Sequence, residues 1–188
     1  DQGVKAIAQA LGVSSLTVLY VSWNNLGAQS AKYLAEALGV STLKVLDMNR
    51  NHVGDEGAVA IAQALRDNST LKVLGLSGNN IGTQGAEVIA DALKGNKTLT
   101  ELGLGGNHIG DLGTGAIAHS LEVNRTLTVL SLSSNQIAPQ GAVWLAQALR
   151  GNKTLKALYV GGNDIGDLGG GAIAQALEDN KTLRKLDV

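Results

Sequence analysis

Apolar residues recur down the chain in one pattern, L-x-x-L-x-[LVM]-x-x-N-x-[LVI], whose first leucine falls at Leu16, Leu43, Leu71, Leu99, Leu127, Leu155 and Leu183. After one step of 27 residues the spacing is a constant 28. Alternation at period 2 within the pattern puts Leu19, Val21 and their equivalents, through Leu186 and Val188, on one buried face of a short strand. Between strands a second pattern, G-A-x-x-I-A-x-A-L, places Ala58, Ile61, Ala62 and Leu65 at i, i+3, i+4 and i+7, a single apolar stripe on a helix. The periodicity predicts strands near 17–21, 44–48, 72–76, 100–104, 128–132, 156–160 and 184–188. Helices are predicted near 3–11, 29–38, 56–66, 84–94, 112–122, 140–150 and 168–178.

A strand and a helix repeated at this period cannot bury their apolar faces alone, so the repeats must stack. The expected fold is an α/β leucine-rich repeat solenoid, a right-handed horseshoe of about 28 residues per repeat. Helices pack wider apart than the strand spacing of about 4.8 Å, which curves the stack with the parallel sheet on the concave face and the helices on the convex face. Residues 1–188 read as one domain: a half repeat over 1–15, six full repeats and a terminal strand. The chain opens within a helix at Asp1-Gln2-Gly3 and closes inside a strand motif, and neither end carries a polar cap. That suggests a fragment of a longer protein, or association end to end through the uncapped terminal repeats.

Three polar columns read as structural. Asn24, Asn51, Asn79, Asn107, Asn135 and Asn163 end the strand motifs, where a buried amide can bond backbone groups that the departing strand leaves unpaired. Asp55, Asp111 and Asp167 stand where helices begin, and Pro139 in the same column suits a first helical position. Asn68, Asn96, Asn124, Asn152 and Asn180 each open an N-x-T glycosylation sequon, yet Gly12 and Gly39 occupy the corresponding turns of the first two units. Tolerance of the left-handed conformation explains both residue types without a sugar, and predicts that Asn124→Gly is nearly neutral.

The strand motif followed by I-G-D-x-G-A-x-x-I-A-x-A-L-x-x-N-x-T-L resembles the ribonuclease-inhibitor-like class of leucine-rich repeats, most of all those of NOD-like receptors and bacterial effectors. The resemblance covers residues 1–188 and implies a protein-recognition module, the ligand-sensing or target-binding part of a receptor or effector. An engineered consensus scaffold with no native ligand is the alternative, since Cys and Phe are absent and the period is clean.

The candidate surface is the concave face. Its exposed columns gather Tyr20, Trp23, Asp47, Asn49 and Arg50 in the first two strands, with Glu101 in the fourth and Tyr159 in the sixth. Trp, Tyr and Arg are the residues that dominate binding energy at interfaces. Between them the strand faces read Gly75, Ser77, Gly103, Gly105 and Ser133, a bare stretch. Arg50 stacked on Trp23 and paired with Asp47 would equally make an internal surface network.

Composition narrows the class further. The formal net charge is −1 with charge scattered along the sequence, which argues against nucleic acid or an anionic membrane as partner. No cysteine is present, so disulfides and thiolate metal sites are excluded and a cytoplasmic setting is expected. His52, His108 and His119 lie in different repeats or columns and do not converge as zinc ligands. Neither a catalytic set nor a phosphate loop can be assembled, so no enzyme activity, metal or cofactor is expected.

Overall fold

The computed structural model describes residues 2–188, so Asp1 and the helix start expected there lie outside the described residues. Seven strands form one parallel sheet in chain order: β1 (Val18–Tyr20), β2 (Val45–Asp47), β3 (Val73–Gly75), β4 (Glu101–Gly103), β5 (Val129–Ser131), β6 (Ala157–Tyr159) and β7 (Lys185–Asp187). The helices are α1 (Gln2–Leu11), α2 (Ala28–Leu38), α3 (Gly54–Asp67), α4 (Thr83–Gly95), α5 (Gly110–Val123), α6 (Pro139–Gly151) and α7 (Gly166–Asp179), each packed on the next. Equivalent residues pair across every strand boundary, Leu46 with Leu74 and Leu74 with Leu102, so the repeat period is the register. This is the expected α/β leucine-rich repeat solenoid. The strands are three residues long, shorter than predicted, because the chain turns through a left-handed residue three positions further on; bonds to the next repeat continue up to that turn, Met48 NH to Gly75 O at 2.8 Å and Arg50 NH to Ser77 O at 2.7 Å.

The core is aliphatic. Leu43, Leu46, Met48, Ile61 and Leu65 are fully buried, and so are their equivalents through Leu158. At the two ends the columns are thinner. Leu16 is 42% exposed and Val188 66%, against the burial the pattern predicts, because each has a neighbouring repeat on one side only.

Between the apolar columns run two asparagine ladders. In the first, the Asn107 amide donates to Leu76 O (3.0 Å) and Leu104 O (2.8 Å), while its carbonyl oxygen accepts from Asn79 NH (2.9 Å) and Ile81 NH (3.0 Å). Each such side chain closes its own turn and stitches it to the preceding repeat. Asn51, Asn79, Asn107 and Asn135 are buried as expected, whereas Asn163 is half-buried and Asn24, at the end of the stack, is exposed.

The second ladder corrects the sequence reading. Asn68, Asn96, Asn124, Asn152 and Asn180 are extended, with φ between −67° and −84°, and not left-handed. Each is buried, and the Asn124 amide donates to Leu93 O of the preceding helix (2.8 Å) while its carbonyl oxygen accepts from Leu127 NH (2.8 Å). Counting back from the strand leucine, the residues in their place in the first two units are Val13 and Val40, 93% and 70% exposed, because those turns are one residue shorter. Gly39, at φ −68°, does a different job. The sequon amides are spent on backbone carbonyls inside the protein.

The aspartates stand in the first turns of α3, α5 and α7, as expected, and two of them also bond to the repeat that follows. Asp55 Oδ1 accepts from Gly82 NH (2.7 Å) and Gly85 NH (3.0 Å), and Asp111 Oδ1 from Ala138 NH (2.8 Å) and Gly141 NH (2.9 Å). Each carboxylate caps the helix of the following repeat, not its own, since a helix leaves its first NH groups without internal partners. Gly85 is needed there: a Cβ would stand 2.5 Å from Asp55 Oδ1.

Two stability measurements check this account. Asn107→Ala and Asn124→Gly should both cost about 1–3 kcal/mol in urea melts, since each strands buried backbone carbonyls and amides. Thr114 is fully buried with no hydrogen-bond partner for its hydroxyl, at a position that is Ala31, Ala58, Ala86 and Ala142 in other repeats. Thr114→Ala should raise stability by about 1 kcal/mol, the relieved desolvation exceeding the lost methyl contact.

Candidate functional site

The concave face is built by the residues that alternate with the core leucines. Tyr20 and Trp23 are 69% and 73% exposed, and the Arg50 guanidinium lies over the Trp23 ring at 4.2 Å from its centroid. The predicted cluster of the first two strands is thus brought together, with Asp47 and Asn49 half-buried beside it. Its internal wiring differs from the expected network. No ion pair joins Arg50 to Asp47 among the described residues; Asp47 Oδ1 accepts from Asn49 NH (2.8 Å), and Asn49 Oδ1 accepts from Ser77 NH (2.7 Å). Both acceptors are taken by backbone NH groups just beyond the ends of β2 and β3, which leaves the guanidinium stacked but not neutralised.

Glu101 is exposed in β4, in the column that is Val73 and Val129 in the adjoining strands. Tyr159 lies in β6 with the Lys185 ammonium 5.0 Å from its ring centroid. Five strand steps, about 24 Å, separate Tyr159 from Tyr20, so the two do not form one pocket.

The glycine-rich middle is not bare. A Cβ on Gly75 would meet both amide atoms of Asn49 at 2.9 Å and Asp47 Oδ1 at 3.0 Å, so neighbouring polar side chains already lean over it. Alongside runs a shallow hollow of about 390 Å³ whose floor is Ser77, Gly78, Gly105, Gly106 and Ser133, with Arg50 at one end.

One feature of this face escaped the sequence reading. The residues just before the first asparagine ladder are left-handed in every full repeat: Trp23 (φ 59°), Arg50 (56°), Gly78 (66°), Gly106 (66°), Ser134 (54°) and Gly162 (72°). The signal was the recurrence of glycine in that column. The conformation costs a residue with a Cβ about 1–2 kcal/mol, least at glycine and most at bulky side chains. Backbone hydrogen bonds hold it in place, Trp23 NH to Asn49 O at 3.0 Å and Arg50 NH to Ser77 O at 2.7 Å. Tryptophan and arginine therefore stand, stacked on one another, at two positions where the fold prefers glycine.

The rest of the molecule offers less chemistry. A hollow of about 610 Å³ between α2 and α3 on the helix side is lined by the Lys32–Glu56 ion pair. The hydrogen bond from Lys32, reinforced by its charge, holds the Glu56 carboxyl below its ordinary range. The histidines meet Asn80, Gln136 and Glu122, and none of these pairs includes a nucleophile. Among the described residues no group of His, Asp or Glu converges as a metal site, and no helix is long and apolar enough to cross a membrane.

Comparison with known proteins places this geometry among relatives. A family profile described as the TMOD/LMOD leucine-rich domain matches residues 79–188, and a general leucine-rich repeat profile matches 14–35, 41–62 and 67–90. No curated protein sequence matches the chain. Among solved structures, one described as leiomodin-1 actin-binding site 2 is 26% identical, with a TM-score of 0.65, covering 80% of this chain and 90% of that one. The tropomodulin C-terminal domain of Caenorhabditis elegans is similar in fold at 13% identity and a TM-score of 0.61, covering 94% and 92% of the two chains.

Arg50→Gly separates strain from stacking. Relief of the left-handed cost offsets a lost cation–π contact of about 0.5–1 kcal/mol, so the variant should melt within about 1 kcal/mol of the parent. Gly106→Ala, which imposes the same strain with nothing to stack on, should cost about 1–2 kcal/mol in the same assay.

Proposed function

The chain belongs to the TMOD/LMOD leucine-rich domain family, and from that premise we propose that it is a protein-recognition module whose ligand seats on the concave face at Tyr20, Trp23 and Arg50, with actin the partner to try first. The observation that carries the reading is the stacked Trp23–Arg50 pair at left-handed positions. Strain that the fold could relieve with glycine is kept where a large aromatic and a cation face solvent, the composition of an interface anchor. Asn49 and Asp47 in the same repeat as Arg50 are held by backbone NH groups, and the shallow hollow beyond Arg50 gives a partner's chain room to lie across the middle repeats. Glu101 and Tyr159 would be contacted by the far part of a ligand long enough to cross the sheet.

Actin enters because the 26% identical structure is described as an actin-binding site. A cytoplasmic setting goes with this reading. Ligand sensing in the manner of a NOD-like receptor rests on the resemblance of the repeat motif, and it uses the same concave residues.

Immobilised intact protein should retain purified actin, and Trp23→Ala with Arg50→Gly should cut that retention at least about tenfold, the effect of losing roughly 1.4 kcal/mol at an anchor. Circular dichroism must show the double variant folded. Equal retention by both proteins would move the binding surface off the concave face. No retention by the intact protein would reject actin and leave the receptor-type reading ahead.

A further inference from the structure

The charges that are scattered along the sequence are not scattered in space. The turn that precedes each strand carries Lys97, Arg125, Lys153 and Lys181 at one position of four consecutive repeats. Those turns are stacked directly, because the Asn124, Asn152 and Asn180 amides reach Asn96 O, Asn124 O and Asn152 O of the preceding turns at 3.3, 3.4 and 3.1 Å. The cations one residue along therefore form a row. Beside it runs a second row at the start of the strands, Lys44, Lys72, Lys156 and Arg184, with Thr100 and Thr128 between. Its members are stacked through backbone bonds such as Lys72 NH to Lys44 O (2.8 Å) and Arg184 NH to Lys156 O (2.7 Å). All eight side chains are exposed, and none takes part in an ion pair among the described residues.

Folding thus turns a sequence period into a basic edge on a chain whose formal net charge is −1. Glu101 and the helix-end acids Asp67, Glu122 and Asp179 lie on the same edge and dilute it without matching it. Helix capping explains part of the turn row: Arg125 donates to Leu121 O and Glu122 O, Lys153 to Arg150 O and Lys181 to Glu178 O, carbonyls in the last turns of their helices. It does not explain Lys97, Lys44, Lys72 or Lys156, which make no such bond. Serine at 14, 41 and 69 and threonine at 100 and 128 fill the same positions in other repeats. Like charges stacked repeat upon repeat repel, so the fold alone gives no reason for them.

We propose that this edge, running along the turns that precede the strands, is a second interaction surface, and that it takes an acidic protein segment in extended conformation. The turn row lies between strands about 4.8 Å apart and helices about 8–10 Å apart. That range brackets the roughly 6.8 Å between alternate side chains of an extended peptide, so successive repeats can each meet one carboxylate. Single-stranded nucleic acid is a poorer fit because no aromatic residue stands on this edge for bases to stack on. A membrane surface is a poorer fit because the apolar residues exposed at these turns are the separate valines Val13, Val40 and Val123 and, at the end of the stack, Leu16, with no aromatic anchor among them.

The test is fluorescence anisotropy of a labelled oligoglutamate peptide, with labelled oligothymidine and phosphatidylserine vesicles run in parallel. The intact chain should bind the peptide in low salt and lose it progressively as salt is added. Replacing Lys44, Lys72 and Lys156 by Thr and Lys97 by Ser installs residues already found at those positions and removes no helix cap. That variant should bind about tenfold or more weakly with an unchanged melting temperature, while the corresponding four Lys→Arg changes should keep the affinity. The Trp23→Ala, Arg50→Gly variant should bind the peptide as the parent does, which separates this surface from the concave one. No peptide binding by the intact chain, an affinity indifferent to the Thr and Ser changes, or tighter binding of oligothymidine or vesicles would each overturn the proposal.

Discussion

The structure depends on how it disposes of backbone polar groups at its turns. A solenoid of 28-residue units must bury two turns per repeat between neighbours, and a buried NH or C=O without a partner costs more than most contacts contribute. Two asparagine ladders meet that demand, one at each end of the strands. The Asn107 amide spans four backbone groups from two repeats. Asn124 does the same at the opposite turn, reaching Leu93 O behind it and Leu127 NH ahead of it. Asparagine suits both places because one planar amide supplies donors and acceptors side by side. The leucines supply the bulk of the core energy, but the ladders set the register in which those leucines stack.

A finer alternation is laid over the single repeat. Helices α4 and α6 begin after extended residues, Gly82 and Ala138, whose NH groups donate to Asp55 and Asp111 of the repeat before. Helices α3, α5 and α7 begin instead at left-handed glycines, Gly54, Gly110 and Gly166. In the repeats with extended starts the left-handed residue is displaced to Asn80 or Gln136. Thr83 completes the link by donating to Ile109 O at 2.9 Å in the following repeat. The smallest fully self-consistent unit is therefore two repeats, because a carboxylate in one is the cap of the next, and the interface between them is polar as well as apolar.

Almost all of the fold was legible in the chain because its strongest signal, burial at fixed period, is also its strongest energy. What was misread shares one cause: residues whose role is played in the neighbouring repeat. Asp55 does open its own helix and Asn68 does end one, but the hydrogen bonds of each run to an adjoining repeat, from Gly82 NH to Asp55 and from Asn68 to Leu38 O, whereas a linear reading attaches a side chain to the nearest element. The single-residue deletion in the first two turns was a usable sign that Gly39 and Asn68 are not equivalent. The candidate site was legible as residue types. Tyr20, Trp23 and Arg50 stood out as hot-spot residues, and the structure stacks Arg50 on Trp23 while Tyr20 stays exposed opposite Asp47 in the sheet. Their backbone conformation was signalled only by glycine at 78, 106 and 162, and the wiring of Asp47 to Asn49 and not to Arg50 could not be read from spacing at all.

The same logic separates structure from function on the surface. A column occupied identically in every repeat is explained by the stack, and the first asparagine ladder and the core leucines are of that kind, as is the second ladder in the five repeats that carry it. A column whose occupant changes while the backbone does not is free to serve something else. The left-handed column accepts Trp, Arg, Ser and Gly with φ held between 54° and 72°, so its geometry is imposed by the hydrogen bonds around it and not by the side chain. The turn column beside the second ladder accepts Ser, Lys or Arg on an unchanged frame. One lies on the concave face and the other on the edge before the strands, and no side-chain bond among the described residues joins Arg50 or Trp23 to that basic edge. Because the frame under each is fixed independently by backbone bonds and asparagines, either surface can be changed without disturbing the other.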